Sequence, residues 1–260
     1  MNSRTCLVGY SGFVGSNLLA QTGFDELYRS ANIQDIRGKS YSLLVCAGVP
    51  AVKWHANKFP EEDRANINGL LDHLSAAQVE RLVLISTVDV YPVTAGVDES
   101  FDCASVPNHA YGTHRLHLEQ KLTNLFRDVY TLRLPGLFGA GLKKNVIYDL
   151  LHDNCLPAIN PESVFQYYDL SGLWGDIHTA LGRKLPLVNL VTEPIRTRAI
   201  LEKFFPGAPV GAEAGNPARY DISTRYAEAF GKAGKYRFTA GEVLDQLARF
   251  IQTSREVARP

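Results

Sequence analysis

The chain has no net charge, because its 27 Lys and Arg balance its 27 Asp and Glu. With a pI near 7.0, nothing global in its electrostatics calls for a nucleic acid partner. Cysteine is scarce. Cys6, Cys46, Cys103 and Cys155 lie far apart with no C-x-x-C spacing, and two of them fall inside apolar runs, which reads as free thiols in a reducing compartment. No apolar run reaches the roughly 18 residues a membrane span needs. The first strand pattern begins too early for a signal peptide to precede it. These absences predict a soluble, cytoplasmic protein. There is no internal repeat, low-complexity segment or interdomain linker. What is present is ordinary for a packed protein: 45% hydrophobic and 21% charged residues in 260, enough for one large domain or one domain with a small appendage.

The stretch Arg4–Leu18 organises the rest. A short apolar run (Cys6, Leu7, Val8) ends at Gly9, glycines recur at Gly12 and Gly15, and Val14, Leu18 and Leu19 return at helical spacing. That order is strand, tight turn, helix. Glycine supplies positive φ for so sharp a turn, and a surface without Cβ that a pyrophosphate can approach. The spacing is Gly-x-x-Gly-x-x-Gly, which a glycine-rich loop without a ligand also shows.

Strand and helix patterns alternate after it. Strands are predicted at 26–31, 41–47, 81–86 and 129–134, with helices at 61–77 and 109–127 and a loop at 92–109. Near-continuous apolar strands are those of a parallel sheet buried on both faces. The fold class is therefore α/β, a Rossmann-like doubly wound parallel sheet. Residues 1–140 read as the dinucleotide-binding core and 141–260 as a smaller substrate-binding region. The pattern loosens there: helices at 144–151, 170–181 and 194–204, a strand at 187–190, a loop at 206–219, and a closing helix opened by the capping box Thr239-Ala-Gly-Glu242.

Three patches carry chemistry. Ser86-Thr87-Val88-Asp89-Val90-Tyr91 closes a strand in hydroxyls, Tyr111 to Glu119 opens a helix, and Arg133 to Gly139 follows the next strand. The hydroxyls and Tyr111 fall on the same sheet edge as the glycine turn, where open α/β sheets bind ligands. Tyr111 and Arg115 share a helix face. A phenol is a poor base at neutral pH, and a nearby positive charge favours the phenolate.

With these motifs the chain resembles the extended short-chain dehydrogenase/reductases, specifically their NAD-dependent epimerase/dehydratase (nucleotide-sugar) family. The glycine turn, Asp35-Ile36, Cys46-Ala47-Gly48, Asn66-Ile-Asn-Gly69, Thr87 with Tyr91, Tyr111, Glu119 and Arg133–Gly139 all resemble that family's ordered motifs. The resemblance implies an NAD(P)-dependent oxidoreductase or epimerase acting on a carbonyl or hydroxyl of a sugar-like substrate. Tyr111 is then the acid/base, Thr87 orients the substrate oxygen, and Arg115 tunes Tyr111 and holds the ribose. It implies a dinucleotide site of Gly9, Ser11, Gly12, Phe13, Val14, Gly15, Arg29, Ser30, Asp35, Ile36, Cys46, Ala47, Gly48, Arg115 and Pro135. Substrate contacts are Thr87, Asp89, Tyr111, Gly136, Lys143 and Asn145, of the two lysines 143 and 144 at most one binding anions. It also implies a homodimer built from the helices at 61–77 and 109–127.

One departure from the family is Arg115, which stands where the relatives carry Lys. An Arg keeps the charge in a bulkier planar fork, so a dinucleotide-binding sensor or scaffold without catalysis stays open as the alternative. A solvated Arg115–Glu119 pair is another. Cofactor choice turns on Tyr28–Asn32. Arg29 with Ser30 favours the 2′-phosphate of NADP, with NAD the alternative. His114 and His117 read as solvent-facing residues, so no metal is predicted. Phe165-Gln166-Tyr167 is either cavity lining or core.

Overall fold

The computed structural model describes residues 4–257, which fall into two units. The first takes the residues up to Val93, Glu99–Leu134 and Ser171–Asn189; the second takes Thr94–Asp98, Pro135–Leu170 and the residues from Leu190 onward. The division expected at 140 thus falls after Leu134. Residues 171–189, expected in the second region, are part of the first.

In the first unit six strands make one parallel sheet. They are β1 (Thr5–Val8), β2 (Glu26–Tyr28), β3 (Leu43–Cys46), β4 (Leu82–Thr87), β5 (Val129–Leu134) and β6 (Leu187–Asn189). Their order across the sheet is β2-β1-β3-β4-β5-β6. The chain leaves β1 in one direction for β2, then crosses back over to β3. The carboxyl ends of β1 and β3 therefore form the switch point at which doubly wound sheets open a crevice. Register is set by two-residue periodicity: Cys6 and Val8, Leu44 and Cys46, and Leu82 and Leu84 share one buried cluster with Ile67, Leu71, Leu74, Leu118 and Leu122. Leu7, Val45 and Val83 are equally buried, as strands covered on both faces require.

The helices of this unit are α1 (Phe13–Leu19), α2 (Lys53–Lys58), α3 (Pro60–Leu74), α4 (Ala110–Leu125) and α5 (Leu173–Gly182). In α3 the buried residues are Asp63, Ile67, Leu71 and Leu74, a stripe at helical spacing whose first member is an acid. Pro60 occupies the start of α3, where its missing N–H costs nothing. β2 is shorter than the predicted 26–31, because Asn32 turns the chain: its Oδ1 accepts from Arg29 N at 2.7 Å and its Nδ2 donates to Leu27 O at 3.0 Å.

In the second unit Gly136–Phe138 pairs in parallel with Tyr167–Asp169, and Val164–Phe165 pairs antiparallel with Ile195–Arg196. Helices at Val146–Leu151, Thr197–Phe204 and Ala240–Val257 close over a core of Phe138, Ile147, Tyr167, Ile200, Val243 and Leu247. Gln166 is a buried clasp. Its Nε2 donates to Thr192 O and Ile222 O and its Oε1 accepts from Ile222 N. That makes Gln166 and the buried Tyr167 core residues. Among the described residues no helix is long and apolar enough to cross a membrane.

Candidate active site

The glycine turn is built by close backbone approach. Gly9 has φ +87°, and a Cβ on it would fall on the carbonyl of Ala47. A Cβ on Gly15 would fall on Gly9 O. A Cβ on Gly48 would stand 2.8 Å from Val8 Cγ1. Gly9 and Gly48 thus let the ends of β1 and β3 close on one another. Gly12 differs: it is exposed, with φ −79°, and its added Cβ would meet only Gly9 O at 3.3 Å. Ser11 and Gly12 present open backbone at the start of α1, and Phe13 and Val14 are half-buried behind them. Burial pushes the Cys46 thiol up to about 11, which keeps it neutral. At the end of β2, Arg29 and Ser30 are exposed. Asp35 is exposed and Ile36 wholly buried, backbone included, so Asp35 is the member of the pair open to a ligand.

At the end of β4 the Thr87 hydroxyl does two things. It accepts from Asp89 N at 3.1 Å, capping the short turn Val88–Val90, and it acts to lower the pKa of the Tyr111 phenol. Tyr111 lies in the first turn of α4, anchored by its own N–H to Asn57 Oδ1 at 2.9 Å. The following residue has to be glycine, since a Cβ on Gly112 would fall on Asp89 O. Asn108 binds the same segment, donating to Asp89 O and Val90 O at 3.0 Å each. His109 caps α4, accepting from Gly112 N through Nδ1 at 3.0 Å.

The electrostatics of Tyr111 are a contest. Burial pushes its pKa above that of an ordinary phenol, while the Arg115 charge, the Thr87 hydrogen bond and Lys53 pull it down and Asp89 pushes it up. Burial wins, so the phenol is held neutral. Arg115 lies over the ring, its guanidinium carbon 4.0 Å from the centroid. Its arms are engaged elsewhere, donating to Asp63 Oδ2 and to Pro50 O.

This corrects two expectations. Arg115 does not pair with Glu119, which instead holds Arg133 through two bonds, at 2.6 and 3.1 Å, and accepts from Ser86 Oγ at 2.5 Å. His114 is not solvent-facing: it is buried, its Nδ1 2.7 Å from the same Asp63 oxygen. Asp89 carries an ion pair with Lys53 at 2.8 Å. Lys53, Asp63, Asn57, Asn108 and His109 were missed at the level of sequence. Asp63 carried a usable signal, an acid in register with a buried apolar stripe.

The second unit holds the remaining candidates. Pro135 is half-buried, Gly136 is exposed, and so is Lys143. Asn145 has φ +97°. Its Oδ1 accepts from Ile147 N and Tyr148 N and its Nδ2 donates to Leu137 O at 2.8 Å. Its side chain therefore fixes the local backbone.

Thr87, at the carboxyl end of β4, and Tyr111, in the first turn of α4, lie in the same unit as the glycine turn. Residues 26–153 match the NAD dependent epimerase/dehydratase family. Over that span the chain is similar to this family. The match begins after the glycine turn and takes in Thr87, Tyr111 and Arg133–Gly139. Comparison with curated protein sequences returns no match. Solved structures similar to the chain include MoeE5 in complex with UDP-glucuronic acid and NAD (18% identity, 98% of this chain and 100% of that one, TM-score 0.74). A UDP-N-acetylglucosamine 4-epimerase from Methanobrevibacter ruminantium M1, in complex with UDP-N-acetylmuramic acid, is 12% identical over 96% of this chain and 97% of its own, with TM-score 0.74. The dTDP-4-dehydrorhamnose reductase of Bacillus anthracis str. Ames, in complex with NADP, is 15% identical over 97% and 99%, with TM-score 0.72. At such identities the likeness to these structures is one of fold.

Proposed function

We propose that this protein is an NAD(P)-dependent enzyme of the epimerase/dehydratase family that works at a carbonyl or hydroxyl carbon of a nucleotide-linked sugar. The observation that carries the reading is the placement of Thr87 at the end of β4 and of Tyr111 in the first turn of α4, in the same unit as the glycine turn. The residues fit a dinucleotide. Gly12 offers exposed backbone next to the start of α1, and Arg29 and Ser30 stand exposed at the end of β2. Bound there, the nicotinamide would give or take the hydride. NADP(H) is the preferred form on the strength of Arg29.

The chain's own residues move the proton. Tyr111, held neutral by burial, is in the form that donates to a carbonyl oxygen as it is reduced. Thr87 donates to the phenol oxygen and so steadies the charge left behind. Arg115, stacked on the ring and tied to Asp63 and Pro50, holds the phenol in place. Within the second unit, Gly136 and Lys143 are exposed and are the candidates there for substrate contact. The protein works as a homodimer in the cytoplasm.

A second reading has an observation of its own. With Arg115 engaged by Asp63 and the phenol held neutral, the chain would bind a dinucleotide without chemistry, as a sensor or scaffold. One experiment separates the two. The wild type and Tyr111→Phe are compared for thermal stabilisation by NADPH and NADH, and for hydride transfer with UDP-glucose, UDP-glucuronic acid and UDP-N-acetylglucosamine. The enzymatic reading expects stabilisation in both proteins, about 2.7 kcal/mol at 100 times Kd, and a loss of rate of about 10²- to 10⁴-fold in the variant alone. Equal rates in the two proteins would reject Tyr111 as the acid. Stabilisation without transfer of hydride favours the sensor. Arg29→Ala should weaken NADPH and leave NADH unchanged.

A further inference from the structure

Tyr111 is the second residue of α4, so its place depends on how that helix begins. The first N–H groups of a helix have no partner within it. Side chains take two of them in α4. Asn57 Oδ1 accepts from Tyr111 N at 2.9 Å, and His109 Nδ1 accepts from Gly112 N at 3.0 Å. His109 has the extended backbone of an N-cap, φ −64° and ψ 158°, and its own N–H is held by Asn108 Oδ1 at 2.8 Å. A cap is ordinarily Ser, Thr, Asp or Asn, whose side-chain oxygen accepts throughout the neutral range. Imidazole differs. Its Nδ1 accepts only while it carries no proton, and in the cation both nitrogens donate.

We propose that His109 is a positioning residue for Tyr111: its neutral imidazole closes the first turn of α4, and protonation opens that turn. The inference rests on Tyr111 being the proton-transfer group.

The surroundings hold the imidazole neutral. The N-terminal end of a helix is electropositive and disfavours a cation there. His109 is also half-buried, and burial, followed by the Lys53 charge, lowers its pKa below the usual 6.5. The charged groups around it come from several elements. Lys53, in the first turn of α2, repels the imidazolium, and Asp89, in the turn after β4, favours it. These two are paired with each other at 2.8 Å, so their effects oppose. On α4 itself the Tyr111 ring lies 6.3 Å from the imidazole. Farther along, His114 and Arg115 share the Asp63 carboxylate of α3. Gly112 is where α4 comes closest to the Asp89 carbonyl, so the His109 bond closes the turn at its tightest contact. Losing that bond loosens the backbone that carries Tyr111.

The test reads the cap by NMR. The His109 imidazole signals, assigned by their loss in His109→Asn, and the Gly112 amide should titrate together, with one midpoint below 6.5. A midpoint at or above 6.5, or a Gly112 amide that ignores the titration, overturns the proposal. His109→Ala should speed hydrogen exchange at Gly112 about fivefold near neutral pH. His109→Asn, a cap that does not titrate, should restore the protection and keep it below the wild-type midpoint; exchange as fast as in His109→Ala counts against the cap. In the holoenzyme with NAD and UDP-glucose as probes, the wild-type kcat should fall below the same midpoint while KM for NAD changes little. His109→Asn should move that acid limb to lower pH, and an unmoved limb overturns the positioning role. The NMR readings need no turnover. Failure of hydride transfer in every protein tested therefore sinks the enzymatic reading, while the Gly112 amide still decides the cap.

Discussion

At the residue scale, Gly9 and Gly12 carry the same letter for different reasons. Gly9 is demanded by the chain itself, through its positive φ and the Ala47 carbonyl against it. Gly12 has an ordinary φ, and an added Cβ would meet only Gly9 O, at 3.3 Å. Gly9→Ala should therefore destabilise the fold by about 2 kcal/mol or more, seen as a lower denaturant midpoint with or without cofactor. Gly12→Ala should leave stability within about 1 kcal/mol and weaken NADPH at least tenfold, about 1.4 kcal/mol, by titration. An Ala at position 12 that binds NADPH as tightly as Gly would remove the pyrophosphate from this turn. Sequence placed Thr87 at a strand end and Tyr111 at the opening of the next helix, as found, because a strand ending in hydroxyls and a Tyr opening the next helix have fixed places in a parallel sheet. It could not distinguish Lys53. A single Lys names no partner, and the short helix that aims it has neither apolar periodicity nor a capping side chain.

At the scale of elements, start signals proved readable where a side chain makes them. The Thr239–Glu242 box caps the closing helix as its sequence implies: Glu242 N donates to Thr239 Oγ1 at 3.3 Å and Thr239 N to Glu242 Oε2 at 2.9 Å. The hydrogen bond from Lys232, and then that from Thr239 N, hold the Glu242 carboxyl down at about 2 against an ordinary 4.5. A depressed carboxylate contributes stability that is present above its unfolded pKa and lost as pH falls through its folded one. The box should therefore stabilise Ala240–Val257 fully above pH 4.5 and weaken progressively toward about 2. Glu242 is half-buried, its side chain 39% exposed, so solvent screening keeps the effect small. Glu242→Gln should flatten the dependence of melting temperature between about pH 5 and about pH 3. An identical slope in the variant would show that the carboxylate adds nothing beyond its hydrogen bonds. The strands at 164–165 and 195–196 gave no such signal, because two residues are too few to show a period.

For the whole molecule, the doubly wound sheet was legible because its strands are apolar runs buried on both faces. The second unit was not, since a long-range clasp such as Gln166 to Ile222 leaves no local trace. The return of 171–189 to the first sheet was hidden for the same reason, β6 being fixed by its pairing with β5. Assembly is the remaining property at this scale. Pairing through α3 and α4 would use exposed positions that are mostly polar: Glu61, Glu62, Arg64 and Asn68 on α3, and Gln120, Lys121 and Asn124 on α4. Obligate dimers cover apolar faces, so this one should be held by charge. About a two-fold axis the acidic first turn of α3 can meet Arg64 and Lys121 of a second copy. Such contacts are screened as the Debye length falls from about 10 Å at 0.1 M salt to about 3 Å at 1 M. Light scattering at micromolar protein should give twice the 28.7 kDa chain mass at low salt and approach the monomer at high salt. Lys121→Glu should dissociate the pair at low salt. A monomer under every condition would mean that these two helices face water, and a dimer indifferent to salt would place the interface on another surface.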